Sequence, residues 1–202
     1  MTRTAEHRHH SGTRGFTLVE MIVAVGLFAV VMVVCVGALL SLANANRKAQ
    51  ALESVINNLN IALDEVVRNA REGSVYHGAG GDASCGTGAY NTPHDCVNGG
   101  TIFAFEPYGN TSADQPWVYS FAQDRNGVGR IYKSENGGSP IAITGPDVSI
   151  QSVEFYIVGS TPGDTIQPKV IIVVEGSAGA NGTTARTTFH IQATAVQRLL
   201  DL

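Results

Sequence analysis

Between Phe16 and Leu42 the chain is apolar, and its single charge is Glu20. A helix of about 27 residues rises roughly 40 Å, enough to cross a hydrocarbon core of about 30 Å. This run predicts a transmembrane helix over 16–42. Polar, amphipathic sequence follows it directly, so the span is expected to stay as an anchor instead of leaving with a secretory signal. Arg3, Arg8 and Arg14 precede it, against Arg47 and Lys48 just after it, a bias that puts the amino end inside and the body outside.

The whole chain holds 13 basic and 17 acidic groups; Arg3, Arg8, Arg14 and Glu6 fall in the first fifteen residues, leaving the rest at 10 and 16. That net of −6 offers no electrostatic footprint for nucleic acid, and no nucleic-acid partner is expected. Residues 1–15 are polar, with His7, His9 and His10 among the arginines, and read as a solvated basic leader on the cytoplasmic side. Metal binding by those three histidines is the sharper alternative.

Glu20 is the chemical puzzle of the span. A carboxylate at mid-helix costs about 2.5 to 3.5 kcal/mol on insertion scales, so it calls for a cationic partner or a route to the headgroups. The stretch Gly15-Phe16-Thr17-Leu18-Val19-Glu20, behind a short basic leader and opening a long apolar helix, resembles the prepilin processing motif of type IV pilins and type II secretion pseudopilins. The resemblance covers about the first third of the chain. It implies cleavage after Gly15 by a prepilin peptidase/methyltransferase, methylation of the new amino terminus on Phe16, and assembly with other pilin or pseudopilin subunits on an inner-membrane platform. It also implies a partner for Glu20, the Phe16 amine of a neighbouring subunit.

Inside the span, Gly26 and Gly37 weaken the helix among β-branched neighbours, or else Gly37 and Ser41 form a small-residue packing pair. Major pilins commonly carry a proline near this depth; the first proline here is Pro93, which favours a minor subunit. Cys35 reads as a small hydrophobe within the span.

From Ala43 the pattern turns amphipathic. Leu52, Val55, Ile56, Leu59, Ala62, Leu63, Val66, Val67 and Ala70 recur at spacings of three and four, predicting a soluble helix over 43–72 that continues the span and stops at Gly73. The continuous helix is expected to measure roughly 85 Å. Residues 73–100 are glycine-rich, contain Pro93 and show no apolar periodicity, so they read as a connecting loop. Cys85 and Cys96 are its landmarks: in an oxidising compartment they can form a disulfide. The alternative is a metal site using His77, Cys85, His94 and Cys96, at a spacing that matches no established zinc pattern.

Beyond Gly100 the sequence is β. Runs at Thr101–Glu106, Trp117–Ala122, Gly129–Lys133, Ser149–Val158, Pro168–Glu175 and Thr187–Val196 alternate between turn signals. Val153, Phe155 and Ile157, with Phe189, Ile191, Ala193 and Ala195, form inward faces for the helical stripe. The expected fold is therefore α+β, one long amino-terminal helix packed on an antiparallel sheet over 101–202.

No nucleophile elbow, P-loop, zinc-protease helix or dinucleotide fingerprint occurs, and neither an enzyme nor a cofactor is expected. Asp124-Arg125-Asn126-Gly127 faintly resembles the start of a calcium loop, but a hairpin turn explains it better, and no metal is expected. Arg125, Arg130 and Lys133 form a small basic group near that turn, read as a solvated edge. Two functions fit these features. One is a minor pilin or pseudopilin resembling the J-type class, which assembles into or caps a type IV pilus or type II secretion pseudopilus. The other is a membrane-anchored extracytoplasmic module whose β-domain captures a surface, ligand or DNA.

Overall fold

The structure is a computed structural model that describes residues 15–87, 89–109, 115–146, 148–178 and 187–198. Apart from Gly15, the expected leader with His7, His9 and His10 lies outside the described residues. The chain forms two compact units, Met1–Ala45 and Asn46–Leu202. Helix α1 runs over Leu18–Glu72, 55 residues, so both halves of the expected helix are helical.

In the first unit every described side chain is exposed, including Leu18 at 76% and Val33 at 74%. Apolar side chains bared over that length need a non-aqueous neighbour. By length and composition α1 contains a segment apolar enough to cross a membrane.

In the second unit α1 buries Val55, Leu59, Ala62, Leu63, Val66 and Ala70, the stripe that the spacing predicts. That stripe packs with the inward side chains of the strands in one core. Among the described residues there are nine strands: β1 Ser74–Ala79, β2 Cys96–Gly100, β3 Ile102–Glu106, β4 Trp117–Gln123, β5 Gly129–Ser134, β6 Ile141–Ala142, β7 Val148–Val158, β8 Lys169–Ala178 and β9 Thr187–Val196. Their order is β1-β3-β4-β5-β7-β8-β9, with β2 added to β7 and β6 to β5. All these pairings are antiparallel.

The longest pair shows how sequence becomes packing. Val153, Phe155 and Ile157 of β7 are buried, as alternation requires. Val148 and Ile150 are buried too, although their parity is opposite. The register of β7 against β8 slips between Ile150 and Ser152, so Gln151 is an extra residue that returns both sets to the core face. On β9, Phe189 and Ala195 are buried, Ile191 and Ala193 are half-buried, and His190, Gln192 and Thr194 between them are exposed.

The segment 73–100 is not the connecting loop that its composition suggests, because it contributes β1 and β2. Its landmark is a disulfide between Cys85 and Cys96, whose Cα atoms are 4.2 Å apart. Several of its glycines make room for that bridge. A Cβ on Gly78 would lie 2.3 Å from Cys96 Cβ, one on Gly81 2.5 Å from Cys85 Sγ, and one on Gly100 2.9 Å from Cys96 Sγ. Glycine here serves close approach of backbone to a buried cross-link, a role that composition cannot distinguish from turn formation.

The carboxyl end of α1 is tied to the sheet. Its last carbonyls have no partner within the helix, yet the Tyr76 hydroxyl donates to Ala70 O at 2.5 Å and the Arg198 amide donates to Arg71 O at 2.9 Å. Burial pushes the pKa of the Tyr76 hydroxyl upward, which keeps it a donor. Gly73 does end the helix, but its backbone is not left-handed; a Cβ there would lie 2.3 Å from Phe105 Cδ2. The left-handed residue is Val75, at φ 55°, where the β1–β3 register is irregular.

Three polar contacts fix the helix face against two strands and the β6–β7 connection. Gly145 N donates to Asn58 Oδ1 at 3.0 Å, Asn69 Nδ2 donates to Tyr119 OH at 3.1 Å, and Lys133 Nζ donates to Glu65 Oε1 at 2.8 Å.

Candidate functional site

Gly15, Phe16 and Thr17 precede α1 and are non-helical and exposed, Phe16 at 77%. Thr17 starts the helix in the manner of an N-cap. Its carbonyl accepts from Met21 N at 3.2 Å, and its side-chain Oγ1 accepts from Glu20 N at 3.3 Å. One otherwise orphaned amide of the first turn is thereby satisfied. Glu20 lies in that first turn, where the positive end of the helix dipole favours a carboxylate. The three residues Gly15, Phe16 and Glu20 are thus gathered at one place, a non-helical peptide bond followed within a turn by an acid.

Thr17 is the residue that reading of the sequence missed. Its signal was available: Thr17-x-x-Glu20 has the spacing of a capping box. A second local contrast is informative. Ala43-Asn44-Ala45 is a small-residue triplet of the kind cleaved behind secretory signals, but it lies inside α1, whereas the Gly15–Phe16 bond lies outside it.

In the body, two of the four groups weighed for metal binding are taken up by a covalent bond. Cys85 and Cys96 are bonded to each other, so neither offers a thiolate. The His77 and His94 rings lie 5.7 Å apart. His77 Nδ1 sits 2.7 Å from Thr92 O, and its buried Nε2 has no hydrogen-bond partner. His94 Nδ1 sits 2.6 Å from Asp95 O. His190, on the exposed side of β9, lies 3.2 Å from Glu175 Oε1. Each of these three histidines thus sets Nδ1 against a backbone carbonyl or a surface carboxylate.

The Asp124 segment is a hairpin turn between β4 and β5. Asp124 Oδ1 accepts from Asn126 N at 2.8 Å and Val128 N at 3.0 Å, and Oδ2 accepts from Arg130 Nε at 3.0 Å. The Val128 amide and then the Arg130 guanidinium hold its carboxyl below the usual range. The basic group at this turn is largely neutralised: Arg130 pairs with Asp124, and Lys133 pairs with both Glu65 and Glu135.

An open groove beside α1 is lined by Ile61, Asp64, Arg68, Arg71 and Arg198. It mixes charges of both signs with an apolar side chain and holds no convergent catalytic set.

Comparison with known proteins bears on the amino-terminal site. The family pattern described as the prokaryotic N-terminal methylation motif matches residues 10–36. No characterised protein and no solved structure gives a significant match. The matched residues include Gly15, Phe16, Thr17 and Glu20 and most of the apolar segment.

Proposed function

We propose that this chain is a prepilin-type subunit of an envelope filament, either a type IV pilus or a type II secretion pseudopilus. The observation that carries the reading is the match of the methylation motif over residues 10–36, on a Gly15–Phe16 bond that lies outside the helix. In this reading a prepilin peptidase hydrolyses that bond. The Gly15 carbonyl takes the water oxygen and becomes a carboxylate, and Phe16 gains a free amine, which the methyltransferase then methylates. Residues 16–42 hold the subunit in the inner membrane, with the body extracytoplasmic, until an assembly platform extracts it.

Glu20 then acquires an assembly role. The Phe16 amine of a neighbouring subunit is the cation that a carboxylate in the membrane calls for, and each pair formed draws one more helix into the bundle. The body works through contacts among subunits and carries no chemistry of its own. The absence of proline between Phe16 and Pro93 favours a minor subunit, and the β-rich second half favours the J-type class, placed at or near a filament tip.

Mass spectrometry of the mature protein tests the central claim. A processed, methylated Phe16 is the expected amino terminus, and any other terminus removes the reading. Glu20→Ala should still be cleaved but should enter filaments poorly. Normal incorporation of that variant would refute the pairing role while leaving the processing role standing. Quantitative proteomics of sheared filaments tests the minor assignment, which fails if this chain is the bulk component.

A further inference from the structure

We infer that Thr17 is a positioning residue for the processing step: its hydroxyl caps α1 and so keeps the Gly15–Phe16 bond out of the helix, in a form a peptidase can engage. The inference rests on the proposed reading of that bond as the cleavage site. It goes beyond that reading by assigning a task to a side chain that is neither at the scissile bond nor the assembly acid.

The argument is a competition for one amide. If α1 were extended toward the amino end, the Glu20 N–H would take the carbonyl four residues back, that of Phe16. In the structure Glu20 N donates instead to Thr17 Oγ1 at 3.3 Å, and α1 begins at Leu18. The cap thus supplies what helix extension would otherwise offer. The pressure to extend comes from the amides of the first helical turn, which have no partner within the helix. Without the hydroxyl, the Phe16 carbonyl is the nearest replacement, and accepting from Glu20 winds Phe16 into the helix. A bond held in a helix must first unwind before an enzyme can bind its backbone, and the apparent affinity falls by the fraction of chains in the open form.

The test uses the full-length chain in detergent micelles with a prepilin peptidase, measuring kcat and KM for cleavage after Gly15. Thr17→Val keeps the branched shape and loses the acceptor; Thr17→Ser and Thr17→Asn keep an acceptor. A cap is worth about 1 kcal/mol, so Thr17→Val should raise KM by up to about fivefold with kcat unchanged, while the Ser and Asn variants stay near wild type. The second readout is the carbon chemical shifts of Gly15 and Phe16, which should move toward helical values in Thr17→Val alone. Wild-type kcat/KM in Thr17→Val overturns the inference, as does a loss that Ser and Asn fail to rescue or that leaves those shifts unchanged. These outcomes presuppose a cleaved wild type. A wild-type chain left uncut after Gly15 removes the prepilin reading itself and this inference with it, so the two failures are told apart.

Discussion

Lys133 offers the sharpest test of how the body holds its helix. Its ammonium lies 2.8 Å from Glu65 Oε1 on α1 and 2.7 Å from Glu135 Oε1, and 4.1 Å from the centre of the Trp117 ring. The lysine side chain is 12% exposed, against 34% for Glu65 and 52% for Glu135. The Glu135 pair is therefore largely screened and worth at most a few tenths of a kcal/mol, while the Glu65 pair contributes about 1 kcal/mol. The ring contact adds about 0.5 to 1 kcal/mol. Lys133→Met keeps the apolar stem and removes the charge, so it should cost about 2 kcal/mol. Trp117 is the chain's single tryptophan, so urea unfolding of the full-length protein in detergent can be followed at the contact itself. In a cycle with Glu65→Gln the coupling should be about 1 kcal/mol.

The same contact predicts a pH dependence. Desolvation pulls the lysine pKa down, but the hydrogen bonds to Glu135 and Glu65 outweigh it and bring the group to about 12. That folded value is above the ordinary lysine pKa of about 10.4, so the ammonium's contribution is fully present below the latter and is lost as pH rises through the former. The gap between wild type and Lys133→Met should be flat from neutral pH to about 10 and then narrow. A variant within about 0.5 kcal/mol of wild type at neutral pH, or a gap that persists undiminished at strongly alkaline pH, would refute this account.

Other contacts give further expectations. Replacing both Cys85 and Cys96 by serine should destabilise the body by about 3 kcal/mol in the chain-entropy model, and a urea midpoint that does not move would show that the bridge constrains nothing. Gly73→Ala must displace the Phe105 ring and should cost about 1 to 3 kcal/mol with a changed near-ultraviolet circular dichroism signal; an unaltered signal and stability would mean that the ring yields freely. Val75 holds a left-handed backbone that strains a β-branched residue, so Val75→Asn should raise thermal stability by up to about 1 kcal/mol, and a lowered melting temperature would assign Val75 a packing role instead.

The sequence disclosed the parts of this fold that rest on periodicity. The helical stripe from Val55 to Ala70 and the six strands from β3 to β9 other than β6 were visible because burial on one face imposes a spacing of three and four, or of two. The strands that escaped have no such pattern. In β1 the buried large side chains are the adjacent Tyr76 and His77, between a left-handed Val75 and Gly78, so burial does not alternate; β2 carries two glycines beside Cys96; β6 is two residues long. The residues of β1 and β2 fit instead against the disulfide and the adjoining strands. The Glu65–Lys133 tie was equally hidden, because its partners lie 68 positions apart and no local pattern joins them.

The amino-terminal site was legible for the opposite reason: everything in it lies within six residues. Even so, naming Gly15, Phe16 and Glu20 left the start of the helix unexplained until Thr17 was seen as its cap. On the proposed reading that cap and Glu20 have to serve two electrostatic states. Before hydrolysis the only charge in the first turn is Glu20, placed where the helix dipole welcomes it. Hydrolysis adds a cationic amine on Phe16, next to the positive end of the same dipole, where a cation is unfavourable. In that second state the carboxylate of Glu20 is the local charge of the right sign to offset the amine, in its own chain or a neighbouring one. A neutral residue at position 20 would leave the first state tolerable and the second uncompensated. The requirement for an acid at this depth is therefore strongest in the processed chain, which is why Glu20→Ala is expected to spare cleavage and impair assembly.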